Sequence, residues 1–382
     1  MRFVLFSAQY APTVGGVERY TQSLAQTLVG EGHEVSVVTS QLPGAPWREV
    51  DAGVEVLRVP SLGLLGGRLP VPLPTSRFRG VVAPPLRRQV DLAVVNTRFY
   101  PLSAWAVCRC ARAGIPTVVL EHGTGYLPLG EHLVGVAGRV YEHLVAGWVR
   151  RFARRFYGVS QACAQWLRTF GVEADGVLYN AVDVDGLRRE ADEGHWDVRA
   201  RFGLASDAPV VAYVGRLIPE KGVPELVEAM AAVRRRVPGA TLVVAGDGPL
   251  RADLEERTPD GVVFAGPLPH AAAMSLVAQA QAFCMPTYYA EGFPTTLLEA
   301  AGLGTLVVAT PVGGTAELIP SDEYGGLLCG HDAASVADAL VRALTDDAWR
   351  ASATAKASQR VAELFTWQAT AAKLVQIAGE LG

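Results

Sequence analysis

Cysteine is scarce in this sequence, and the few cysteines form no recognisable pattern. Cys108, Cys110, Cys163, Cys284 and Cys329 are scattered along the chain without a C-x-x-C pair. Their odd number and their spacing argue against both a disulfide framework and a zinc site. A reducing cytoplasm fits such a chain best, so the sequence predicts a cytoplasmic protein.

Long apolar runs and charged residues are also scarce. No run of eighteen apolar residues occurs, and the opening MRFVLFSAQY is too short for a signal segment or a membrane span, so it predicts a buried strand. Only 19% of the residues are charged and 50% are hydrophobic, which excludes the disordered class. A length of 382 residues allows two domains, each with its own core.

The charges that are present divide unevenly. Residues 1–180 carry a net charge of +6 and residues 181–382 a net charge of −10. A basic first half indicates contact with an anionic surface or substrate, although the imbalance can also serve only to keep the two halves attracted and soluble. We do not expect a nucleic acid as partner.

Short apolar runs alternate with helical patterns in two series. RFVLFSA, GGVERYTQSLAQTLVGEG and HEVSVVTS read as strand, helix and strand, and a second series starts at PVVAYVGR near residue 209. This alternation predicts an α/β protein with two doubly wound domains, residues 1–180 and 181–365. The Pro- and Gly-rich stretch 60–85 predicts an irregular insertion, and residues 179–207 a polar connector.

Residues 137–157 predict a basic amphipathic helix. Val140, Leu144, Trp148, Phe152 and Phe156 repeat every four positions, and four arginines gather at its end, namely Arg150, Arg151, Arg154 and Arg155. Such a helix can lie on an anionic membrane, or it can be a core helix with solvated arginines.

A helix start flanked by two carboxylates is the most informative motif. In EGFPTTLLEA, Glu291 stands before a helix that is predicted to begin at residues 293–295, with Pro294 in its first turn and Glu299 one turn further in. The free N–H groups and the dipole of such a helix start attract an anion, while carboxylates accept hydrogen bonds from sugar hydroxyls. The alternative is that Glu299 is an ordinary surface acid.

Other candidate residues follow predicted strands, where ligands bind in open α/β sheets. Arg216 and Lys221, just after Gly215, could stabilise a diphosphate, although such pairs are usually solvated. His122 follows another strand and has the alternative of a purely structural role. Glycines that allow close backbone approach occur in two of these turns, at Gly15 and Gly16 and at Gly246 and Gly248. The D-x-D of Asp183 and Asp185 lacks supporting ligands, so no essential metal is expected.

Together these motifs resemble glycosyltransferase family 4, whose retaining enzymes have the GT-B fold of two Rossmann-like domains facing a central crevice. The matching elements are GGVERY, EHG, YNAVD, GRLIPEKG, AGDGP, GPLPH and EGFPTTLLEA, in the order of the family and over nearly the whole chain. One departure is Ala181 in YNAVD, where glycine is usual. The resemblance implies an acceptor-binding domain over residues 1–180, a donor-binding domain over residues 181–365, and a final helix, 366–381, that returns to the first domain.

The resemblance also implies roles for single residues. His122, Arg216, Lys221 and Glu291 would be catalytic, with the two cations on the diphosphate of a nucleotide sugar and Glu291 on its sugar. Glu299 would accept hydrogen bonds from the ribose. The remaining donor-binding residues would be Gly15, Gly16, Gly215, Gly246, Gly248, Pro267, Leu268, Gly292, Phe293, Pro294 and Thr295, with the base near residues 266–270. The family needs neither a metal nor another cofactor.

The implied reaction is the retaining transfer of a hexosyl group, in polysaccharide biosynthesis, from a nucleotide sugar, with UDP as the expected nucleotide. The basic helix and the insertion favour a lipid-linked or membrane-surface glycan as acceptor, and hence a peripheral position on the inner face of the cell membrane. The alternatives are a soluble small-molecule acceptor, a nucleotide-sugar epimerase, or a non-catalytic nucleotide-sugar-binding protein. A dehydrogenase is disfavoured because the G-x-G-x-x-G fingerprint is absent.

Overall fold

The structure of the protein, a computed structural model, describes residues 1–13, 15–127, 133–289 and 291–382. The chain divides into two compact units. The first unit comprises Met1–Asn180 together with Trp367–Gly382, and the second comprises Ala181–Thr366.

The first unit is built on an eight-stranded sheet with the order β10-β9-β8-β7-β1-β2-β4-β3. All its neighbouring strands are parallel except β3, which runs antiparallel to β4. A short antiparallel pair, β5 and β6, lies outside this sheet. The strands are β1 (Arg2–Phe6), β2 (Glu34–Ser40), β3 (Arg48–Asp51), β4 (Val54–Val59), β5 (Ser61–Leu64), β6 (Leu69–Pro72), β7 (Leu92–Asn96), β8 (Thr117–Glu121), β9 (Arg155–Gly158) and β10 (Gly176–Val177).

Helices cover this sheet and close its core. The central strands read LAVVN and TVVLE, runs of β-branched residues that are typical of strands buried on both faces. Leu102, Ala106 and Val149 on the helices pack against the strand residues Val95 and Val119. The helices of residues 1–180 are α1 (Gly16–Gly30), α2 (Ser76–Arg87), α3 (Pro101–Arg112), α4 (Leu133–Phe152) and α5 (Gln161–Trp166), with 3₁₀ turns at Leu65–Gly67 and Leu167–Phe170.

The second unit has a six-stranded, fully parallel sheet with the order β13-β12-β11-β14-β15-β16. Its strands are β11 (Val210–Val214), β12 (Thr241–Ala245), β13 (Val262–Gly266), β14 (Ala282–Met285), β15 (Leu306–Ala309) and β16 (Gly326–Leu327). Its helices are α6 (Val184–Glu193), α7 (Val198–Phe202), α8 (Val223–Arg236), α9 (Arg251–Glu256), α10 (His270–Ala278), α11 (Thr295–Gly302), α12 (Thr315–Leu318), α13 (Ala333–Thr345) and α14 (Asp347–Leu364), with a 3₁₀ turn at Pro219–Lys221.

The last helix, α15 (Trp367–Leu381), belongs to the first unit, where it packs against α1. The Trp367 ring lies edge-on to Tyr20, with 5.2 Å between the ring centroids. The Thr370 hydroxyl donates a hydrogen bond of 3.0 Å to the carbonyl of Tyr179. The chain therefore leaves the first unit after Asn180 and returns to it at Trp367.

The stretch that the sequence predicts to be irregular is regular, and the polar connector also contains helices. Residues 60–85 contain the β5–β6 pair and most of α2, whose N-cap Thr75 accepts a hydrogen bond from the N–H of Phe78. The connector 179–207 contains α6 and α7. The prediction for residues 60–85 was wrong because the prolines that suggested a loop lie inside β6 and α2. The acidic residues of the connector include Asp183 and Asp197, which are the N-caps of α6 and α7.

The predicted helix 137–157 has different bounds. The helix α4 ends at Phe152, and the chain then forms β9, in which Phe156 is buried. The four-residue repeat runs across this boundary, so Phe156 does not share a helix face with Val140, Leu144 and Trp148. These three residues are exposed.

Candidate functional site

The strand order of the second unit reverses between β11 and β14, and ligands of open α/β sheets bind at the carboxyl ends of the strands at such a point. The loop after β11 carries Gly215, Arg216 and Lys221. The loop after β14 leads to Glu291. The sequence therefore directs these predicted donor-binding residues to the edge of the sheet where the topology places a ligand.

Backbone contacts join the two loops. The carbonyl of Glu220 accepts hydrogen bonds from the N–H of Tyr288, at 2.9 Å, and from the hydroxyl of Thr287, at 3.0 Å. Gly222 has a φ of +68°, and a Cβ at this position would lie 2.1 Å from the carbonyl oxygen of Pro286. Only glycine lets the turn that carries Lys221 pack this closely against the end of β14.

The contact between the loops brings a predicted cation and a predicted carboxylate together. The Nζ of Lys221 forms an ion pair with Oε1 of Glu291, and the two side chains are only 16% and 17% exposed. The ammonium also lies 5.5 Å from the centroid of the Tyr289 ring. An ammonium has three hydrogens to donate, so Lys221 can hold Glu291 and a phosphate oxygen at the same time.

Arg216 is the exposed cation of this site. The hydroxyl of Tyr213 donates a hydrogen bond of 2.9 Å to the backbone carbonyl of Arg216, which fixes the main chain there. Burial, with a contribution from the nearby Glu291, raises the pKa of Tyr213, so this hydroxyl keeps its proton. The guanidinium forms no ion pair with any residue that the structure describes, and it extends into solvent.

Gly246 and Gly248 bring the loop after β12 against the loop after β11. A Cβ at Gly246, where φ is +148°, would lie 1.9 Å from the carbonyl oxygen of Gly215. A Cβ at Gly248 would lie 2.4 Å from the carbonyl oxygen of Leu217. The close approach that these glycines permit is thus to the protein's own backbone. Direct contact with a donor stays a prediction.

The helix α11 begins where the motif predicts, at Thr295. Pro294 is its N-cap and precedes the first turn, and no side chain of a described residue caps the helix. The segment before it is held in place, since the carbonyl of Gly292 accepts a hydrogen bond of 3.0 Å from Gly314 and the ring of Phe293 packs on Phe365. An uncapped helix start on a fixed loop is suited to binding an anion.

Glu299 is buried inside α11, so the interpretation as a surface acid is wrong. Its Oε1 lies 3.3 Å from Nε2 of His270, whose Nδ1 lies 2.5 Å from Oε2 of Glu190. His270 follows the loop that contains Pro267, which is exposed, and Leu268, which is partly buried. No sequence signal points to Glu190, because it is 80 residues from His270 and in no motif.

In the first unit, the start of α1 is less open than predicted. Gly15 is the N-cap, and the carboxylate of Glu18 in the first turn lies so close that a Cβ at Gly15 would be 2.3 Å from its Oε2. Burial raises the pKa of Glu18 above its ordinary value. Gly16 has open space around its Cβ position. A phosphate at this helix start would have to displace the carboxylate of Glu18.

His122 lies at the carboxyl end of β8, as the sequence predicts. Its Nε2 is 2.8 Å from Oδ1 of Asn96, whose amide nitrogen donates to the carbonyl of Phe6. The ring also packs edge-on against Tyr20, at 4.9 Å between centroids. Burial lowers the pKa of His122 to about 3, so the ring is neutral at physiological pH. The contact with Asn96 places the hydrogen on Nε2 and leaves Nδ1 as an acceptor.

A buried ion cluster that the sequence analysis did not identify supports the loop of His122. The guanidinium of Arg98 pairs with Glu121 and, at 2.8 Å, with Glu142, and all three side chains are buried. The second oxygen of Glu121 accepts from the N–H groups of His122 and Gly123, at 3.2 and 3.3 Å. Because the three charged residues are 21 and 23 positions apart, no local motif reveals the cluster.

Asp183 and Asp185 have structural roles. Asp183 is the N-cap of α6 and accepts a hydrogen bond of 3.0 Å from the N–H of Gly186. Asp185 lies in the first turn of the same helix, where a negative charge is favourable. Within the described parts of the chain, no three His, Cys, Asp or Glu side chains cluster in a way that could hold a metal ion.

Two family models match the chain. The model for "Glycosyltransferase Family 4" matches residues 14–185, and the model for "Glycosyl transferases group 1" matches residues 208–346. These two stretches contain the candidate residues of the first and the second unit, respectively.

Relatives and a solved structure agree with these models. The chain is 30% identical to alpha-D-kanosaminyltransferase of Streptomyces kanamyceticus, over 70% of this chain and 72% of the relative. It is 28% identical to a GDP-mannose-dependent alpha-(1-6)-phosphatidylinositol monomannoside mannosyltransferase of Mycobacterium tuberculosis, over 98% and 97%. The structure of Anabaena HepE in complex with UDP covers all of both chains with a TM-score of 0.74 at 19% identity. The chain therefore belongs to glycosyltransferase family 4 and has the GT-B fold.

Proposed function

We propose that this glycosyltransferase moves a hexosyl group from a UDP-sugar, with retention at the anomeric carbon, to a hydroxyl of a lipid-linked or membrane-surface glycan. The part of this proposal that concerns the donor rests on one observation, the contact of Lys221 with Glu291 beside the uncapped start of α11. This arrangement offers a cation and free N–H groups to a departing diphosphate and a carboxylate to sugar hydroxyls.

The choice of uridine is supported by the solved structure of HepE, which contains UDP. The name of the mycobacterial relative specifies GDP-mannose, so guanosine is the competing base. We propose that no metal takes part, because Arg216, Lys221 and the start of α11 can together balance the diphosphate charge. Retention is proposed from the family resemblance.

One experiment tests the donor and the stereochemistry together. Purified protein is titrated calorimetrically with UDP, GDP and ADP in the presence of EDTA, and the product formed from the matching nucleotide sugar is examined by NMR. We expect binding of UDP, at least tenfold tighter than that of GDP or ADP, and a product with the anomeric configuration of the donor. Preference for GDP would overturn the assignment of the base, and inversion would overturn that of the mechanism.

The membrane-surface acceptor rests on the outward face of α4. Val136, Val140, Leu144 and Trp148 are 55%, 54%, 70% and 48% exposed. Because they are spaced by four residues, they form one apolar stripe along the helix. The opposite face, with Ala146 and Val149, is buried in the core. Exposed apolar surface of this extent marks an interaction site.

The charges beside the stripe fit an anionic bilayer. Arg139, Arg150 and Arg151 on α4 are exposed. Glu142, the acidic residue within Leu133–Phe152, is buried and adds no negative charge to the surface. Leu62 and Leu64 on β5, and Leu65 in the turn that follows, are also exposed. The partner strand β6 packs against α3, as α4 does. Apolar residues flanked by arginines are typical of helices that lie in the interface of an anionic membrane. No helix within the described ranges is both long and apolar enough to span a bilayer.

We predict that the protein sediments with vesicles that contain anionic lipid at low salt, but not with neutral vesicles, and that added salt weakens the binding. The double substitution Leu144→Glu and Trp148→Glu should abolish sedimentation, since it places two negative charges on the stripe. Val50→Glu is the matched control, because Val50 is 72% exposed but lies on β3. Equal sedimentation of all three proteins would contradict the membrane-surface acceptor and favour a soluble acceptor.

A further inference from the structure

The imidazole of His270 links two carboxylates that come from different helices. Its Nδ1 lies 2.5 Å from Oε2 of Glu190 on α6, and its Nε2 lies 3.3 Å from Oε1 of Glu299 on α11. His270 itself is the first residue of α10, directly after the loop that is predicted to face the base of the donor. One side chain thus connects the predicted base loop to the predicted ribose-binding acid.

The charges of the three groups favour this arrangement. Carboxylate oxygens accept hydrogen bonds, and a protonated imidazole can donate one from each of its two ring nitrogens. The ring of His270 lies between the two carboxylates, with one nitrogen facing each of them. Glu299 is buried, and a buried carboxylate needs charged or hydrogen-bonding partners. His270 supplies such a partner on the side of Glu299 that faces α10.

The helices that carry Glu190 and His270 are held at a fixed distance. Gly194 follows α6, and a Cβ at that position would lie 2.4 Å from the carbonyl oxygen of Ala271. Glu190 is one helical turn before Gly194, so it lies next to the same contact. The close packing of α6 on α10 therefore fixes where Glu190 can hold the imidazole.

We propose that His270 is a positioning residue that holds the carboxylate of Glu299 in the orientation needed to accept hydrogen bonds from the ribose hydroxyls, and that Glu190 in turn orients His270. The inference rests on the proposed function, in which Glu299 contacts the ribose. His270 acts through Glu299, so its effect must depend on the presence of both Glu299 and the ribose hydroxyls.

Calorimetric binding of UDP and of 2′,3′-dideoxy-UDP tests this dependence. His270→Ala should weaken UDP binding about tenfold, the scale of a hydrogen bond to a charged group, and should leave dideoxy-UDP binding unchanged. Glu299→Gln should have a similar effect, and adding His270→Ala to Glu299→Gln should cause no further loss. His270→Gln keeps an amide donor and should recover part of the affinity for UDP.

Glu190→Gln, which removes the charge that holds the ring, should act in the same direction, whereas Glu193→Gln, at an exposed position of the same helix, should not. One result would contradict the positioning role and leave the proposed function intact. In it, the unmodified protein binds UDP more tightly than dideoxy-UDP, but His270→Ala weakens the binding of both nucleotides equally or of neither. If the unmodified protein binds no nucleoside diphosphate, the proposed function itself fails.

Discussion

Lys221→Ala is expected to abolish the stabilisation of the protein by UDP and to lower the rate of sugar transfer by about 10²–10³-fold, the loss typical of removing one group that stabilises developing charge. Negative charge accumulates on the diphosphate as its bond to the sugar breaks. Lys221 is the predicted cation whose ammonium is fixed in place, by Glu291 and by the ring of Tyr289. A fixed charge stabilises the transition state without first having to be reorganised.

Thermal unfolding measures the binding part of this prediction. UDP at a hundredfold excess over its dissociation constant should add roughly 2.7 kcal/mol to the stability of the unmodified protein, and no such increase should appear for Lys221→Ala. Lys356→Ala is the matched control, since Lys356 also forms an ion pair in the second unit, with Glu323, but on the exposed surface of α14. An equal UDP shift in Lys221→Ala and Lys356→Ala would remove Lys221 from the donor site.

Glu291→Gln separates the two partners of the ion pair. If Lys221 holds the diphosphate and Glu291 the sugar, this substitution should retain the UDP shift and still lower transfer. A loss of the UDP shift in Glu291→Gln would mean that the carboxylate acts mainly by holding Lys221 in place. The two variants therefore assign each member of the pair to its own part of the donor.

The sequence predicts the sheets well because their strands carry a strong local signal. VVAYV, TLVVA and LVVA are short runs of β-branched residues that become strands buried on both faces. The end of α4 was predicted less well. The four-residue repeat continues through Phe152 to Phe156, but the chain turns into β9 at Arg155, where pairing with β8 outweighs the local pattern.

In the candidate site, too, the sequence predicts local features but not contacts between residues that are far apart in the chain. Motif spacing places Lys221 and Glu291 in loops at one edge of a sheet, but only the folded chain shows that they pair across 70 residues. The contact depends on Gly222, whose conformation and close approach to Pro286 a sequence pattern does not specify. Partners such as Glu190 and Asn96 belong to no motif, because their roles come from tertiary packing alone.

Arg98→Met is expected to destabilise the first unit by about 3–5 kcal/mol, the cost of removing one partner from a buried ion pair. Arg98 lies between the carboxylates of Glu121 and Glu142 and 3.6 Å over the ring of Phe170. Its removal would leave two buried negative charges close together. Chemical denaturation measures the loss, and Arg168→Met, which removes an exposed ion pair with Glu173, should cause a much smaller one.

The pH dependence of the stability of Arg98→Met tests whether buried negative charge causes its loss of stability. Burial already raises the pKa of Glu142, and without Arg98 the pKa of this carboxyl in the folded state should rise further. The folded state then binds more protons than the unfolded state above the ordinary pKa of a carboxyl, so the stability of Arg98→Met falls as the pH rises. The difference in free energy of unfolding between the unmodified protein and Arg98→Met should therefore be smaller at pH 5 than at pH 8.

A compensated variant separates lost charge balance from lost packing. Adding Glu121→Gln and Glu142→Gln to Arg98→Met removes both unbalanced charges and keeps the amide oxygens that accept from the N–H groups of His122 and Leu127. Recovery of most of the stability would assign the loss to unpaired charge. No recovery would assign it to the contact between Arg98 and Phe170. Side-chain oxygens at positions 121 and 142 also accept hydrogen bonds from backbone N–H groups of residues 122–127. A variant that recovers stability and keeps these hydrogen bonds should therefore also keep His122 in position.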